Sequence, residues 1–247
     1  MDKLVVLILA AGKGKRMKSH LPKVLHTLAG KPLLAYVVNL ARGLNPERTI
    51  IIVGRMAEKV SKLFPHDTVD FVVQEEQLGT GHAVQQTEEM LKDFHGNILI
   101  LSGDVPLLKI ETIHKLIKIH MDSGAAITIL TAKMNNPEGY GRIMRDENGR
   151  VINIVEDKDA APEIKKISEI NSGIYCFKKD LLFNLLKGIK KNNVQQEYYL
   201  TDVIYLAFNS SLKIETVRAE DPYEIMGINT QEELKEAERI FKSRNDE

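Results

Sequence analysis

A basic segment near the start of the chain offers the clearest chemistry in the sequence. The apolar run Leu4–Leu9 ends at a stretch of small residues, Ala10 to Gly12, whose bare backbone N–H groups a ligand can approach closely and which favour anions. Positive charge surrounds this stretch at five positions before Val24: Lys13, Lys15, Arg16, Lys18 and Lys23. The segment predicts a phosphate-binding loop. The alternative is a solvated basic loop in which glycine serves only the turn.

Two familiar phosphate-binding motifs do not fit this segment. A P-loop requires glycine, four further residues and then Gly-Lys-Ser/Thr, but Met17 stands where the second glycine should follow Gly12. The dinucleotide fingerprint Gly-x-Gly-x-x-Gly accepts Gly12 and Gly14 and then meets Met17 at its third glycine. The phosphate chemistry therefore has to rest on the bare backbone and the clustered charge.

A candidate metal ligand lies in the stretch LSGDVPLL, residues 101–108. Asp104 comes just after the end of a predicted strand, with Gly103 beside it. A carboxylate at that place suits Mg²⁺, which takes one or two protein oxygens and keeps its other positions for water and substrate phosphates. The alternative is that Asp104 caps the next helix.

A third informative stretch is EEQLGTGHAVQQ, residues 75–86. Gly79 and Gly81 flank Thr80 just before a predicted helix, so backbone N–H groups and one hydroxyl could hydrogen-bond a nucleobase edge or a ribose. The alternative is an ordinary helix N-cap with glycines for the turn. His82 is expected to pack or to support a binding residue, without acting as an acid or a base.

Short apolar runs alternate with longer amphipathic stretches over the first half of the chain. Buried strands are predicted at Leu4–Leu9, Thr49–Val53, Val69–Val73, Ile98–Leu101 and Ala126–Leu130. Helices are predicted at Pro32–Arg42, Ala57–Phe64, Gly81–Lys92 and Ile110–Asp122. This alternation predicts an α/β fold with a mostly parallel central sheet flanked by helices. Ligands bind beyond the carboxyl ends of such strands, at the loops 10–23, 74–80, 102–108 and 131–141.

The pattern changes after about residue 139. Residues 141–145 and Val151–Val155 predict a hairpin, and Glu169–Phe177 predicts a further strand, so a sheet-rich insertion over about 139–200 is expected to close over the core. The last elements predicted are a helix starting near Tyr199, a strand at Ile214–Val217 and a charged helix at Thr230–Ser243. We therefore expect a main domain over 1–229 and a C-terminal helix over 230–247, polar on most sides and either exposed or leading to another part.

Composition limits the ligand to something small. The chain has 247 residues, with 34 basic and 34 acidic residues, whereas a general nucleic-acid binder usually carries a basic excess. The basic charge is local, because residues 1–31 hold seven Lys or Arg and one acid, Asp2. These counts favour a small anionic ligand over a nucleic acid.

Several other classes are excluded by what the sequence lacks. The apolar stretch Leu4–Ala11 is too short to span a bilayer, so neither a membrane anchor nor a signal peptide is expected. The single cysteine, Cys176, permits no disulfide within the chain, which is consistent with a cytoplasmic protein. No Gly-x-Ser-x-Gly, His-x3-His or Cys-x2-Cys occurs, so neither a serine hydrolase nor a zinc site is indicated.

A series of motifs carries a family resemblance. The chain contains, in this order, LAAGKGKRM, LPKVLHTLAGKPLL, QLGTGHA, SGDVPLL, NNPEGYGRI, VEDKDA, EINSGIY, QEYYLTD and GIN. Over roughly residues 3–245 it closely resembles the uridyltransferase domain of bacterial N-acetylglucosamine-1-phosphate uridyltransferases, or UDP-N-acetylglucosamine pyrophosphorylases. Other sugar-nucleotide pyrophosphorylases and the methylerythritol-phosphate cytidylyltransferases share the opening motif, whereas GTGHA, YGRI, EINSG and GIN narrow the resemblance. It implies a Rossmann-like nucleotidyltransferase fold with a small sugar-binding insertion.

The chain departs from this family pattern in two places. Some members have Tyr-Gly-Asp where this chain has Ser102, Gly103 and Asp104, which changes the neighbour of the metal residue and leaves that residue in place. Bifunctional members continue into a left-handed β-helix of hexapeptide repeats that acetylates glucosamine-1-phosphate and builds a trimer. The sequence ends at Glu247, so we expect no acetyltransfer, no such trimer, and a monomer or weak oligomer.

The resemblance implies roles for residues at matching positions. The catalytic pair would be Arg16 and Lys23. Nucleotide contacts would come from Leu9, Ala10, Ala11, Gly12, Lys23, Gln74, Gly79, Thr80, Ser102, Gly103 and Asp104. The amino sugar would meet Gly141, Glu156, Asn171, Tyr199, Thr201 and Asn229. The cofactor would be Mg²⁺, held by Asp104 and Asn229.

The implied reaction joins UTP and N-acetylglucosamine-1-phosphate to give UDP-N-acetylglucosamine, a peptidoglycan and lipopolysaccharide precursor, and pyrophosphate. A related alternative is another pair of substrates on the same fold, such as cytidylyl or thymidylyl transfer, or glucose-1-phosphate as acceptor. An alternative from a different class is a non-catalytic protein that binds a sugar nucleotide. The presence of Lys23, Asp104 and Asn229 argues against that last alternative.

Overall fold

The computed structural model describes residues 3–12, 14–54, 56–64 and 69–245. Lys13 and Asp2, two residues of the charge argument above, lie outside the described residues, and so does the side chain of Lys15. The remaining basic residues of the opening segment, its glycines and the predicted site residues are all described.

The strands form a mixed sheet of mostly parallel strands. Their bounds are β1 Leu4–Ala10, β2 Thr27–Leu28, β3 Lys31–Pro32, β4 Arg48–Val53, β5 Asp70–Val73, β6 Asn97–Ser102, β7 Ile127–Lys133, β8 Arg142–Arg145, β9 Val151–Val155, β10 Glu169–Lys178 and β11 Ile214–Arg218. The central order is β5-β4-β1-β6-β10-β7-β11, in which β10 runs antiparallel to both of its neighbours. Strands β8 and β9 form a hairpin attached to β10, and β2 and β3 form a separate two-stranded ribbon.

Helices cover both faces of the sheet. Their bounds are α1 Leu33–Gly43, α2 Ala57–Ser61, α3 Thr80–Gln85, α4 Ile110–Ser123, α5 Pro162–Lys165, α6 Lys179–Leu186, α7 Asp202–Asn209 and α8 Gln231–Asn245. Successive residues of β1 serve opposite faces: Val6 packs with α1, α2 and α4, and Val5 packs with α3, α6 and α7. Burial on both faces is why the strand is apolar at every position. The predicted α/β class is confirmed.

The helix predicted at Gly81–Lys92 is wrong in length. Helix α3 ends at Gln85, and a short 3₁₀ turn at Glu89–Leu91 follows it. At the break, the buried Thr87 hydroxyl donates to the Val84 carbonyl at 2.8 Å, a local side-chain bond of the kind that competes with the helical backbone pattern. Similarly, the helix predicted from Pro32 begins at Leu33, and the one predicted near Tyr199 begins at Asp202.

The region after residue 139 contains both predicted and unpredicted elements. The hairpin of β8 and β9 matches its prediction. The strand predicted at Glu169–Phe177 is β10, which lies inside the central sheet between β6 and β7. Helices α5 and α6 were not predicted. They are short and lie directly before and after β10, so their patterns do not stand out from that of the strand.

Helix α8 is more than a solvent-facing helix. Its buried residues Leu234 and Ala237 pack in a third apolar cluster with Met17 and Leu28. This cluster joins the C-terminal helix to the basic loop and to the β2–β3 ribbon. The polar appearance of the sequence is explained by the narrow width of this apolar stripe.

Candidate active site

A cleft of about 370 Å³ opens beyond the carboxyl ends of β1 and β6. Ten residues predicted to contact a nucleotide line it: Leu9, Ala10, Ala11, Gly12, Lys23, Gln74, Gly79, Thr80, Ser102 and Asp104. These residues come from three loops of the sequence, which the parallel arrangement of β1, β5 and β6 brings to one edge of the sheet. The predicted contact Gly103 lies behind this lining and is buried.

Four further residues line the cleft that the sequence did not single out: Val24, Gln77, Ala83 and Glu197. Gln77 stands out among them, because its side-chain amide donates to the carbonyl of Ala11 and so fixes the end of β1. Gln77 lies two residues before Gly79 in the stretch EEQLGTGHAVQQ, and this position is the feature of the sequence from which its place in the cleft could have been predicted. Glu197 reaches the cleft from a distant segment, and its place inside the quoted motif QEYYLTD was the available signal for it.

Gly12 leaves the floor of the cleft open. A Cβ built at this position meets no atom within 4 Å, so folding alone places no demand on glycine here. The open space above Gly12 belongs to the cleft. The absence of a side chain therefore leaves room for a ligand to approach the backbone closely, and contact of Gly12 with a nucleotide stays a prediction.

The Gln74–Thr80 segment is held rigidly against a second segment. The buried Gln74 amide donates to the Gly79 carbonyl at 3.0 Å and lies 3.0 Å from His82 Nδ1, which places His82 behind a cleft residue. Gly79 has φ of 112°, and a Cβ there would lie 2.5 Å from the Tyr198 carbonyl. The Thr80 hydroxyl accepts the Leu200 N–H at 3.0 Å. These contacts couple the cleft to residues 198–200.

Three polar side chains converge at one corner of the cleft. The Lys23 ammonium contacts Asp104 Oδ2 and lies 2.8 Å from Asn229 Oδ1. The Lys23 and Asp104 side chains are each 16% exposed, so solvent reaches this pair poorly. Asp104 and Asn229, the two predicted metal ligands, therefore point their oxygens at the same positive charge.

Backbone contacts fix the positions of these oxygens. The Gly103 N–H donates to the Leu9 carbonyl at 2.9 Å, which places Asp104 at the end of β6. The Asp104 carbonyl accepts the Ile228 N–H at 2.9 Å, which ties it to the segment carrying Asn229. The Asn229 side-chain N–H donates to the Gly227 carbonyl at 3.1 Å, so Oδ1 is the atom left to face Lys23.

Arg16, the other predicted catalytic residue, lies outside the lining of the cleft. Its side chain is exposed and does not line the cleft. Burial raises the pKa of Tyr140, and a hydrogen bond from the Gly227 backbone opposes that rise. The negative charge of Asp104 raises the same pKa, and the positive charge of Arg16 lowers it. Arg16 is therefore within electrostatic reach of the corner that holds Asp104.

Most of the predicted sugar contacts form a cluster next to the cleft. The Thr201 hydroxyl donates to Glu156 Oε1 at 3.0 Å, and the Asn171 amide donates to the Tyr175 hydroxyl at 2.7 Å. The Asn171 N–H donates to the Gly141 carbonyl at 2.8 Å. A Cβ on Gly141 would lie 3.6 Å from Glu156 Oε2, so these groups share one small volume.

A β-bulge joins this cluster to the cleft. Strand β10 shifts register between Asn171 and Tyr175, with Gly173 at φ of 76°. A Cβ on Gly173 would lie 3.2 Å from Ser102 Oγ, which places the bulge against the end of β6. Bulges are frequent next to functional sites because they redirect side chains.

Negative charge surrounds the sugar-side cluster. Burial raises the pKa of Glu156, and the carboxylates of Asp159, Asp202 and Asp157 raise it further against the hydrogen bond from Thr201. Burial, reinforced by Asp159, raises the pKa of Asp202 to about 6. Burial also raises the pKa of Tyr199, which is itself buried beside this group. The cluster therefore offers acceptors for hydroxyl or amide donors.

The donor set suits a hard cation. Among the described residues, no group of three or more His, Cys, Asp or Glu residues is arranged to hold a metal by itself. Asp104 supplies a carboxylate oxygen and Asn229 an amide oxygen, and both already contact the cationic end of Lys23. Mg²⁺ prefers this set of one or two protein oxygens, completed by water and substrate phosphates. The residues present therefore fit the predicted ion.

The fold and the cleft together define a class of protein. A mostly parallel sheet, a bare backbone loop with a lysine beside it, and a carboxylate at the next strand end are typical of α/β proteins that handle nucleoside phosphates.

In the described part of the chain, no helix combines the length and apolar character needed to cross a bilayer.

Comparison with known proteins gives the family. The family described as Nucleotidyl transferase matches residues 5–223, and the chain belongs to it. The chain is 47% identical over 245 residues to a protein of Geobacter sulfurreducens named Bifunctional protein GlmU, covering 99% of the chain and 52% of that protein. It is 48% identical over 239 residues to the protein of the same name from Prochlorococcus marinus, covering 96% of the chain and 53% of that protein. The chain thus spans about half the length of the curated relatives it matches.

A solved structure supports the fold. The chain superposes on a UDP-glucose pyrophosphorylase in complex with UDP-glucose with a TM-score of 0.79 at 19% identity, covering 99% of this chain and all of that one. The predicted Rossmann-like nucleotidyltransferase fold is confirmed, and so is the resemblance stated from the motifs.

Proposed function

We propose that the protein transfers a uridylyl group from UTP to N-acetylglucosamine-1-phosphate, giving UDP-N-acetylglucosamine and pyrophosphate. The observation that carries this proposal is the meeting of two sites at one corner. Lys23 and Asp104 line a cleft with a bare backbone floor, and the carboxylate and hydroxyl cluster around Glu156 is joined to the same cleft by the bulge of β10, which packs on Ser102. Relatives at 47–48% identity named GlmU support the choice of substrates.

The nucleophile is an oxygen of the sugar phosphate. The second pKa of such a phosphate is about 6, so it is mostly dianionic at neutral pH and needs no general base. This accounts for the position of His82, whose pKa is lowered by burial and which lies behind Gln74, outside the lining of the cleft.

The chemical step exchanges one phosphorus–oxygen bond for another. The sugar-phosphate oxygen forms a bond to the α-phosphorus of UTP, and the bond from that phosphorus to the bridging oxygen of the β-phosphate breaks. The electron pair leaves with pyrophosphate. Since both reactants are anions, catalysis consists of holding them in line and offsetting their charge.

Lys23 and Arg16 offset the phosphate charge. Lys23 lines the cleft, where its ammonium would meet the α-phosphate, and the exposed Arg16, outside that lining, would meet the leaving pyrophosphate. Asp104 and Asn229 would hold Mg²⁺, which when bound supplies further positive charge to the substrate phosphates.

The remaining residues select and orient the substrates. The loop of Ala11 and Gly12 would take the nucleotide through its backbone, and Gln74 and Gly79 would hydrogen-bond the uracil edge. The Glu156 carboxylate would accept hydrogen bonds from the amino sugar, and the Asn171 amide would donate to it. The Thr80–Leu200 contact supports this division, because it fixes the nucleotide side against the segment that carries Thr201.

A panel of acceptors tests the proposal. Pyrophosphate release is measured with UTP and Mg²⁺ in the presence of N-acetylglucosamine-1-phosphate, glucosamine-1-phosphate or glucose-1-phosphate, and then with CTP and dTTP in place of UTP. Release with UTP and the N-acetylated sugar, well above the other pairs, is expected. A preference for another pair would move the function elsewhere on the same fold, and no release with any pair would favour a binding protein.

A further inference from the structure

The ammonium of Lys23 lies where a metal ion would bind. Its contacts are Asp104 Oδ2 and Asn229 Oδ1, the same two oxygens that fit Mg²⁺. One pair of oxygens cannot serve both cations at contact distance, because a lysine ammonium and a divalent ion repel each other strongly in a poorly solvated corner.

The backbone around Lys23 gives its side chain little room to move elsewhere. Lys23 starts a 3₁₀ turn whose next residues, Val24 and Leu25, are buried. Gly14 packs directly on it, since a Cβ on Gly14 would lie 2.9 Å from Lys23 Cβ. Rotation of the side-chain end toward the cleft, which Lys23 already lines, would therefore be the way for the ammonium to leave the pair of oxygens.

The pair of oxygens is equally fixed. The Asp104 carbonyl and the Ile228 N–H join the two segments at 2.9 Å, and the Asn229 N–H donates to Glu233 Oε2 at 2.5 Å. These contacts hold the segments that carry both oxygens without any part played by Lys23. Only the identity of the cation changes.

From this geometry we infer that Lys23 competes with the metal ion for Asp104 and Asn229, and that nucleotide phosphates remove the competition by drawing the ammonium into the cleft. The inference rests on the proposed function for the identity of those phosphates. Metal and nucleoside triphosphate then bind cooperatively, each raising the affinity for the other. Lys23 would thereby keep the metal site closed until the nucleotide is in place.

Metal binding without nucleotide tests this inference. Free Mn²⁺ is titrated with protein and followed by electron paramagnetic resonance for the wild type, Lys23→Met and the control Lys31→Met, which removes one exposed charge from the nearby β2–β3 ribbon. Lys23→Met should bind Mn²⁺ about tenfold or more tightly than the wild type, because the competing charge is gone. Lys31→Met should match the wild type. Lys23→Gln, with a polar end group, repeats the test, and melting temperatures check that each variant folds.

A double variant assigns the site. Adding Asp104→Asn to Lys23→Met should abolish the gain in Mn²⁺ affinity. Equal Mn²⁺ affinity in the wild type and both Lys23 variants would overturn the inference, and so would a gain that survives Asp104→Asn. Because no turnover is measured, these outcomes are independent of the acceptor panel, whose failure would instead overturn the proposed function.

Discussion

Asp104 is the residue on which the proposed chemistry depends most. It lines the cleft, contacts Lys23 and faces the same point as Asn229. We expect Asp104→Ala to lower kcat by about 10²-fold or more, as removal of charge-stabilising groups does at comparable sites. Steady-state pyrophosphate release measures this, with Asp122→Ala on the exposed face of α4 as control. Activity within tenfold of the parent would remove Asp104 from the metal site.

Glu156 carries the proposed recognition of the sugar. Its carboxylate accepts from Thr201 and lies beside Gly141, outside the lining of the proposed nucleotide cleft. Glu156→Ala should raise the KM for the sugar phosphate by about tenfold, since a hydrogen bond to a charged group contributes roughly 1.5–3 kcal/mol. Glu163→Ala, on the exposed α5, is the control. If only the KM for UTP changed, the sugar assignment would be wrong.

The sequence identifies some site residues better than others for a physical reason. Gly12, Asp104 and Thr80 stand at strand ends or helix starts, where glycine, charge and hydroxyl groups are conspicuous in the sequence itself. Val24 and Ala83 line the cleft as ordinary apolar residues, which no pattern separates from the core. The contact of Lys23 with Asp104 joins residues 81 positions apart and follows only from the sheet order.

At the scale of elements, the start of α8 holds Asn229, one of the two proposed metal ligands. Glu233 accepts from the Asn229 and Thr230 N–H groups, and the Thr230 hydroxyl accepts the Glu233 N–H at 3.1 Å, which is a capping box. Glu233→Ala should cost about 1 kcal/mol of stability and raise the Mg²⁺ concentration needed for half-maximal activity. Thermal unfolding and a Mg²⁺ titration measure both, with Gln231→Ala as control. An unchanged Mg²⁺ requirement would separate α8 from the metal site.

Helix α7 begins with a carboxylate that is costly when ionised. Burial and Asp159 raise the pKa of Asp202 from its ordinary 3.8 to about 6. Because the folded-state pKa is raised, the ionised form destabilises the fold above pH 6, and this cost disappears as the pH falls toward 4. Asp202→Asn should therefore raise the melting temperature at pH 8 more than at pH 4.5.

The Asp202 variant needs a control in which a carboxylate is removed from the first turn of another helix. Asp180→Asn at the first turn of α6 removes a carboxylate from an equivalent but exposed position and controls for the helix dipole. A lower melting temperature of Asp202→Asn at pH 8, or a gain that is the same at both pH values, would contradict the assignment.

Element predictions were limited by tertiary contacts. Strand β10 has the apolar pattern of any buried strand, so its insertion antiparallel between β6 and β7 could not be seen in sequence. The end of α3 coincides with a hydrogen bond from the buried Thr87 hydroxyl, a contact that the apolar pattern does not show. The stripe by which α8 packs on Met17 is too narrow to outweigh its charged residues in the sequence pattern.

For the whole molecule, the site exists because the chain crosses one edge of the sheet repeatedly. Strands β1, β5 and β6 end at the proposed nucleotide side, and the bulge of β10 together with the start of α7 lies at the proposed sugar side. Alternation of strands and helices predicted that edge. The hydrogen bond from Leu200 to Thr80, which joins the two sides, could not be predicted from the sequence and is seen only in the folded structure.

The most direct test of this arrangement follows the α-phosphorus. UTP labelled with ³²P at the α-position is incubated with N-acetylglucosamine-1-phosphate and Mg²⁺, in parallel with UTP labelled at the γ-position, and the products are separated. Attack at the α-phosphorus predicts that the α-label appears in UDP-N-acetylglucosamine and the γ-label in pyrophosphate. Transfer of the γ-label to the sugar, or release of the α-label as UMP without any sugar nucleotide, would contradict uridylyl transfer at this site.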